Sequence, residues 1–113
     1  MDLRSKSINH IKVLTLTGRF DALTSAEVQT WLEDATKAKP AQIVVNLGAV
    51  TFIDSTALST LVAGMKRARQ ADGDLRLCKL QQPVRMIFEL TRLDRAFEIF
   101  PGEEDAVGAF GVA

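Results

Sequence analysis

The chain is poor in the residues on which enzyme chemistry is most often built. Its 113 residues include one cysteine, one histidine, three prolines and no tyrosine. A lone Cys78 cannot close an intramolecular disulfide, and its place in a strand-like run makes it a buried, inert thiol suited to a reducing cytoplasm. One His and one Cys do not make a metal site, so no metal is expected. Ser55 lacks the G-x-S-x-G elbow, and His10 falls in a predicted turn, which leaves no parts for a catalytic triad. Gly18 stands alone in Gly18-Arg19-Phe20-Asp21, and Gly48 and Gly64 have no glycine partners at phosphate-loop spacing, so no nucleotide or other cofactor is expected. Fourteen basic and fourteen acidic residues cancel without a Lys/Arg-rich run, which argues against nucleic acid as a partner. No apolar run is long enough to span a bilayer, and Met1–Lys6 lacks an apolar signal core. The expectation is a cytoplasmic protein without membrane insertion.

What is present is ordinary globular material, 47% apolar and 25% charged, with no internal repeat, low-complexity tract or linker. A single domain over residues 1–113 follows from the length. Ile11–Thr17 reads as a strand ended by Gly18, with Leu3–Ser7 pairing to it through a turn at Asn9-His10. Thr24-Ser25-Ala26-Glu27 matches a capping box opening a first helix, whose inward stripe is Val28, Trp31, Leu32 and Ala35. Beyond Pro40, the β-branched run Gln42–Leu47 reads as a strand covered on both faces. Leu58, Leu61, Val62 and Met65 set the stripe of a second helix, which ends at Asp72-Gly73 with glycine in the left-handed position. Leu75–Leu80 is a strand, Pro83 opens a third helix that buries Val84, Ile87 and Phe88, Phe97–Phe100 is a short strand, and Glu103–Phe110 closes the chain as a helix. Strands alternating with helices give an α/β class: a mixed, mostly parallel sheet of four to five strands with about four helices.

In such a sheet the Gly18–Leu23 and Leu47–Asp54 loops open at the same edge, which makes Gly18, Asp21, Asp54 and Ser55 neighbours. Thr51-Phe52-Ile53-Asp54-Ser55-Thr56-Ala57-Leu58 then sets one acid and three hydroxyls around a strand-to-helix junction. Spacing alone favours helix capping for Asp54-Ser55-Thr56, a role such residues fill at a stabilisation of about 1 kcal/mol. The same place also suits added negative charge, because free backbone N–H groups and the positive end of the helix dipole lie there.

Asp54-Ser55-Thr56-Ala57-Leu58 resembles the D-S-[ST]-G-L signature of STAS domains that act as anti-sigma-factor antagonists. Gly18-Arg19-Phe20-Asp21 is similar to that family's G-x-[LF]-D loop, and Pro83–Leu90, continued by Leu93 and Phe97, resembles its late helix. The three motifs occur in the family's order and spacing across nearly the whole chain. The resemblance implies a single STAS domain that is a partner-switching protein, not an enzyme. Unphosphorylated, it would bind an anti-sigma factor that is also a serine kinase and release the sigma factor; a phosphatase would reset it, and no small-molecule substrate is implied. Carried over, Ser55 is the phosphoacceptor with Thr56 as second candidate, Asp54 orients the hydroxyl, and Gly18, Asp21 and Ala57 join Asp54, Ser55 and Thr56 in partner binding. Ala57 stands where the family has glycine, and its methyl group would narrow the set of partners able to dock. The competing readings are a STAS module that is never phosphorylated, as scaffold in a signalling complex or partner of a transporter, and a small enzyme using Asp54 and Ser55. The last needs a general base that the sequence does not offer.

Overall fold

Asn9 and His10 both adopt positive φ, 50° and 68°, and a two-residue turn of that kind matches the twist of the strands it joins. It links β1 (Asp2–Ile8) to β2 (Ile11–Phe20) as the expected antiparallel hairpin. The computed structural model describes residues 1–111; Val112 and Ala113, which the single-domain expectation includes, lie outside the described residues. After α1 (Ser25–Ala35) come β3 (Gln42–Ile53), α2 (Ser55–Gln70), β4 (Asp74–Cys78) and α3 (Gln82–Leu90). A 3₁₀ turn at Leu93–Arg95, β5 (Ile99–Phe100) and α4 (Glu103–Gly108) complete the order. The five strands lie in sequence order across one sheet, with β2 to β5 parallel and β1 antiparallel at the edge. This is the predicted mixed, mostly parallel α/β sheet.

The sheet is covered on both faces. Leu14, Leu16, Ile43, Val45, Leu47, Leu75 and Leu77 turn toward Val28, Leu32, Leu61, Met65, Val84 and Phe88 of the first three helices, forming the main core. Phe88 and Phe97 meet edge to face with centroids 5.8 Å apart, and Trp31 packs half-buried on the rim. On the other face a smaller cluster of Ile11, Val13, Val44 and Cys78 lies against Ala106 of α4. That two-sided cover is why Gln42–Leu47 carries apolar residues at consecutive positions.

Five sequence expectations need correction. Neither Gly18 nor Leu47 ends its strand, because β2 and β3 run on together to the Phe20–Ile53 pair. Register shifts between Thr15 and Thr17 and between Gly18 and Arg19 interrupt the alternation, with Gly18 at φ 105°. The buried positions Leu47, Val50 and Ile53 therefore recur every third residue, a spacing that a period-two reading does not recognise as strand. β4 stops at Cys78, where Lys79 turns to φ 61°, and β5 keeps only Ile99 and Phe100. At the end of α2 the left-handed residue is Asp72, φ 62°, and not Gly73. Gly73 donates its N–H to the Ala68 carbonyl at 2.9 Å, and a Cβ there would stand 1.9 Å from the Ala41 carbonyl oxygen, so glycine is required for close approach.

α4 is fixed to the sheet by charge as well as by Ala106. Glu103 accepts from Asn46 Nδ2 at 3.1 Å and pairs with Lys6 Nζ at 2.7 Å. The Lys6 bond chiefly, with Asn46 and the charge of Lys79, holds Glu103 below the ordinary glutamate range against the opposing effect of burial. A carboxylate lowered on folding contributes stability above its unfolded pKa and loses it as pH falls through the folded value. Glu103→Gln should therefore lower the thermal midpoint at neutral pH, and the gap to wild type should close as pH drops below about 4, the unperturbed glutamate range. Thermal denaturation followed at pH 7 and at pH 3 to 4 checks this; a gap that is constant or widens in acid contradicts it.

Candidate functional site

The junction between β3 and α2 has no loop. Ile53 ends the strand, Asp54 is extended at φ −113° and ψ −178°, and Ser55 is already helical. Asp54 Oδ1 accepts the Ala57 N–H at 2.9 Å, satisfying one of the unpaired donors of the first turn. The other oxygen, Oδ2, accepts the Ala22 N–H at 2.9 Å from a segment 32 residues away. One carboxylate thus caps α2 and ties the β2–α1 turn to it.

That turn is held from within by its own acid and hydroxyls. The Asp21 carbonyl accepts the N–H groups of Thr24 and Ser25 and the Ser25 hydroxyl, the last at 2.6 Å. Asp21 Oδ1 accepts the Leu23 N–H at 3.0 Å, and Thr24 Oγ1 accepts the Asp21 N–H at 2.9 Å. The expected capping box is absent: Thr24 is the N-cap residue, but its side chain makes no cap bond to the helix, because the hydroxyl reaches back to Asp21 and the Arg19 carbonyl instead. Arg19 pairs with Asp21 at 3.6 Å and lies 4.1 Å over the ring of the partly exposed Phe52.

The six candidate residues separate into three groups. Asp21, Asp54, Ser55 and Thr56 sit at one corner of the domain, with Ser55 and Thr56 exposed on the first turn of α2. Gly18 is set back within the sheet, paired with Val50, and lies outside the turn itself. Ala57 is fully buried among the core residues, so its side chain offers nothing to a partner, and its methyl group does not obstruct the corner. Sequence reading placed it outward because the signature is contiguous, whereas the helix turns its third residue inward.

Other reactive groups lie elsewhere. Cys78 is buried on the α4 face, where desolvation first and then the Glu103 charge push its thiol up to about 11, only partly offset by Lys79. It is protonated and shielded, unsuited to nucleophilic attack. A depression of about 1280 Å³ opens at the far end of the strands beside His10, Lys12 and Lys39. The residue that sequence reasoning missed is Ala22, whose backbone N–H meets Asp54; no side-chain pattern signals a backbone donor.

Asp54→Ala removes a helix cap and the one bond from Asp54 to the Ala22 turn, which together contribute roughly 2 kcal/mol. Urea unfolding monitored by Trp31 fluorescence should show a loss of that order, with the folded α/β spectrum retained. A loss below about 0.5 kcal/mol, the size expected of an ordinary surface substitution, would show that the bridge contributes little.

Comparison with known proteins agrees with this architecture. The STAS domain model matches residues 2–106. The anti-sigma-B factor antagonist of Listeria monocytogenes is 28% identical over 99 residues, 88% of this chain and 86% of the relative. An anti-sigma-factor antagonist (STAS) domain protein of Planctomyces limnophilus superposes with a TM-score of 0.89 at 20% identity, over 99% of this chain and all of that one. The cell fate determinant SpoIIAA of Bacillus matches in its phosphorylated form with a TM-score of 0.74 at 18% identity, covering 96% of this chain and 98% of the other. In its unphosphorylated form it matches at 0.77 and 17%, covering 98% and 100%. A family model that spans the sheet, the first three helices and the Asp54–Ser55 corner places this chain in the STAS domain family, among relatives named as anti-sigma factor antagonists.

Proposed function

We propose that this protein is an anti-sigma-factor antagonist whose binding is switched by phosphorylation of Ser55. The observation that supports it is the placement of Ser55: exposed, on the first turn of a sixteen-residue helix, beside a carboxylate that fixes the corner. In the unphosphorylated state the corner docks on an anti-sigma factor that is also a serine kinase, and the sigma factor is released. The kinase supplies ATP and the catalytic groups; this chain supplies the acceptor hydroxyl and no catalytic residue. A phosphatase reverses the modification, and the exchange takes place in the cytoplasm. Thr56, also exposed, is the second acceptor candidate.

The mechanism is electrostatic and local. A phosphate adds nearly two negative charges next to Asp54, whose carboxylate is fixed by two backbone bonds and does not turn away without releasing them. The helix N-terminus tolerates that charge, so the fold persists. A partner surface fitted to a neutral hydroxyl does not tolerate it, because docking would strip water from a dianion that has no counter-charge. That this chain superposes on SpoIIAA in both its unphosphorylated and its phosphorylated form is consistent with a switch of this kind.

Ser55→Asp should weaken binding to the cognate kinase by about two orders of magnitude, the usual cost of an unpaired interfacial charge, without moving the thermal midpoint of the free protein. Ser55→Ala should bind in the presence of Mg-ATP while wild type is released. Titration calorimetry with purified kinase, and phosphopeptide mapping after incubation with ATP, measure both. If Ser55 gains no phosphate and both variants bind as wild type does, the protein is a STAS binding module without a switch at this position.

A further inference from the structure

The turn between β2 and α1 carries a leucine at its tip with 93% of its surface in water. Leu23 belongs to neither apolar cluster of the domain, so the fold does not explain its side chain. Isolated exposed leucines are ordinary on protein surfaces, and exposure alone assigns no role. Two further features distinguish this one. Its backbone is fixed: the Leu23 N–H bonds Asp21 Oδ1 at 3.0 Å, the Ala22 N–H bonds Asp54 Oδ2 at 2.9 Å, and the Asp21 carbonyl receives four donors from Thr24 and Ser25. Its position is tied to the switch, because the carboxylate that holds Ala22 also caps the helix bearing Ser55. Leu23 and Ser55 therefore belong to one rigid corner. A side chain presented on a backbone that is already ordered sacrifices little freedom when a partner covers it, so the apolar area it buries counts almost fully toward affinity. At the same turn the Arg19 guanidinium lies over the Phe52 ring, itself 38% exposed, and its charge is met by Asp21.

We infer that Leu23 is the apolar anchor of the docking surface around Ser55, and that the partner presents an apolar side-chain pocket next to the surface that meets the hydroxyl. This rests on the partner-binding function proposed above. Affinity and control are then divided between two residues of one corner: Leu23 supplies burial when the corner docks, and Ser55 decides whether the corner can close on the partner.

The test uses the full chain against the purified serine-kinase anti-sigma factors encoded in the source genome, with the one that binds wild type taken as the probe. Leu23→Ser should raise Kd by about tenfold or more, as expected for losing the burial of one leucine side chain. Leu23→Met should stay within about threefold, since it keeps the apolar volume. Leu90→Ser removes a leucine that is 77% exposed on α3 and serves as the control; it should bind as wild type does. In phosphorylation assays Leu23→Ser should raise KM while leaving kcat unchanged. Thermal midpoints confirm that each variant is folded. If Leu23→Ser binds within twofold of wild type while Ser55→Asp does not bind, the anchor is overturned and the switch stands. Equal weakening by Leu23→Ser and Leu90→Ser also overturns the anchor, as a general effect of surface apolarity. If no such kinase binds wild type, the function and the anchor fall together.

Discussion

The Asp54 carboxylate is the interaction on which the corner of this domain depends. Its two oxygens accept backbone N–H groups from opposite sides, Ala57 at the start of α2 and Ala22 in the turn before α1. Each bond alone is a modest contribution of about 1 kcal/mol. Their combination matters more, because a carboxylate with both oxygens engaged locks two chain segments in one relative position. The pairing of Phe20 with Ile53 brings those segments together, and the Asp54 N–H continues the ladder to the Phe20 carbonyl at 3.3 Å.

The sheet supplies the rigidity behind that corner. β2 and β3 pair along most of their length through two register shifts, and both strands finish at the Phe20–Ile53 pair. The first three helices cover one face with large apolar side chains, and α4 covers the other through a smaller cluster and the Lys6–Glu103–Asn46 contacts. Burial of Ala57 roots the first turn of α2 in the core while Ser55 and Thr56 remain in solvent. Ser55 is therefore presented on a surface that does not yield. Control by charge at such a place alters recognition without requiring a second fold, which suits a protein whose proposed role is to bind or not to bind.

Much of the fold was legible along the chain because its signals are local. The inward stripes of the three main helices, the hairpin at Asn9-His10 and the doubly covered run Gln42–Leu47 follow from periodicities and turn chemistry that neighbouring residues express themselves. The corner was legible in part for the same reason, since an acid followed by hydroxyls before an apolar stripe marks a helix start. Where expectation failed, a contact outside the local pattern, from a distant segment or from a preceding turn, had overridden a local preference. Gly18 reads as a strand end until β3 is there to pair beyond it, and Thr24 reads as a capping residue until Asp21 and Arg19 offer its hydroxyl nearer partners. Gly73 reads as the left-handed residue until the Ala41 carbonyl is found against it, leaving Asp72 to take that conformation.

Composition, periodicity and the Asp54-Ser55-Thr56 segment by themselves determined an α/β domain with an acid and hydroxyls at the start of its second helix, because backbone propensity and helix capping act over a few residues. Which of those residues face solvent was decided only by the tertiary structure. The turn of α2 sends Ala57 inward and leaves Ser55 outside, and a 32-residue closure brings the Ala22 backbone to Asp54. Such contacts depend on the path of the whole chain, and a backbone N–H, identical at almost every position, leaves no mark in the sequence to announce where it will be used.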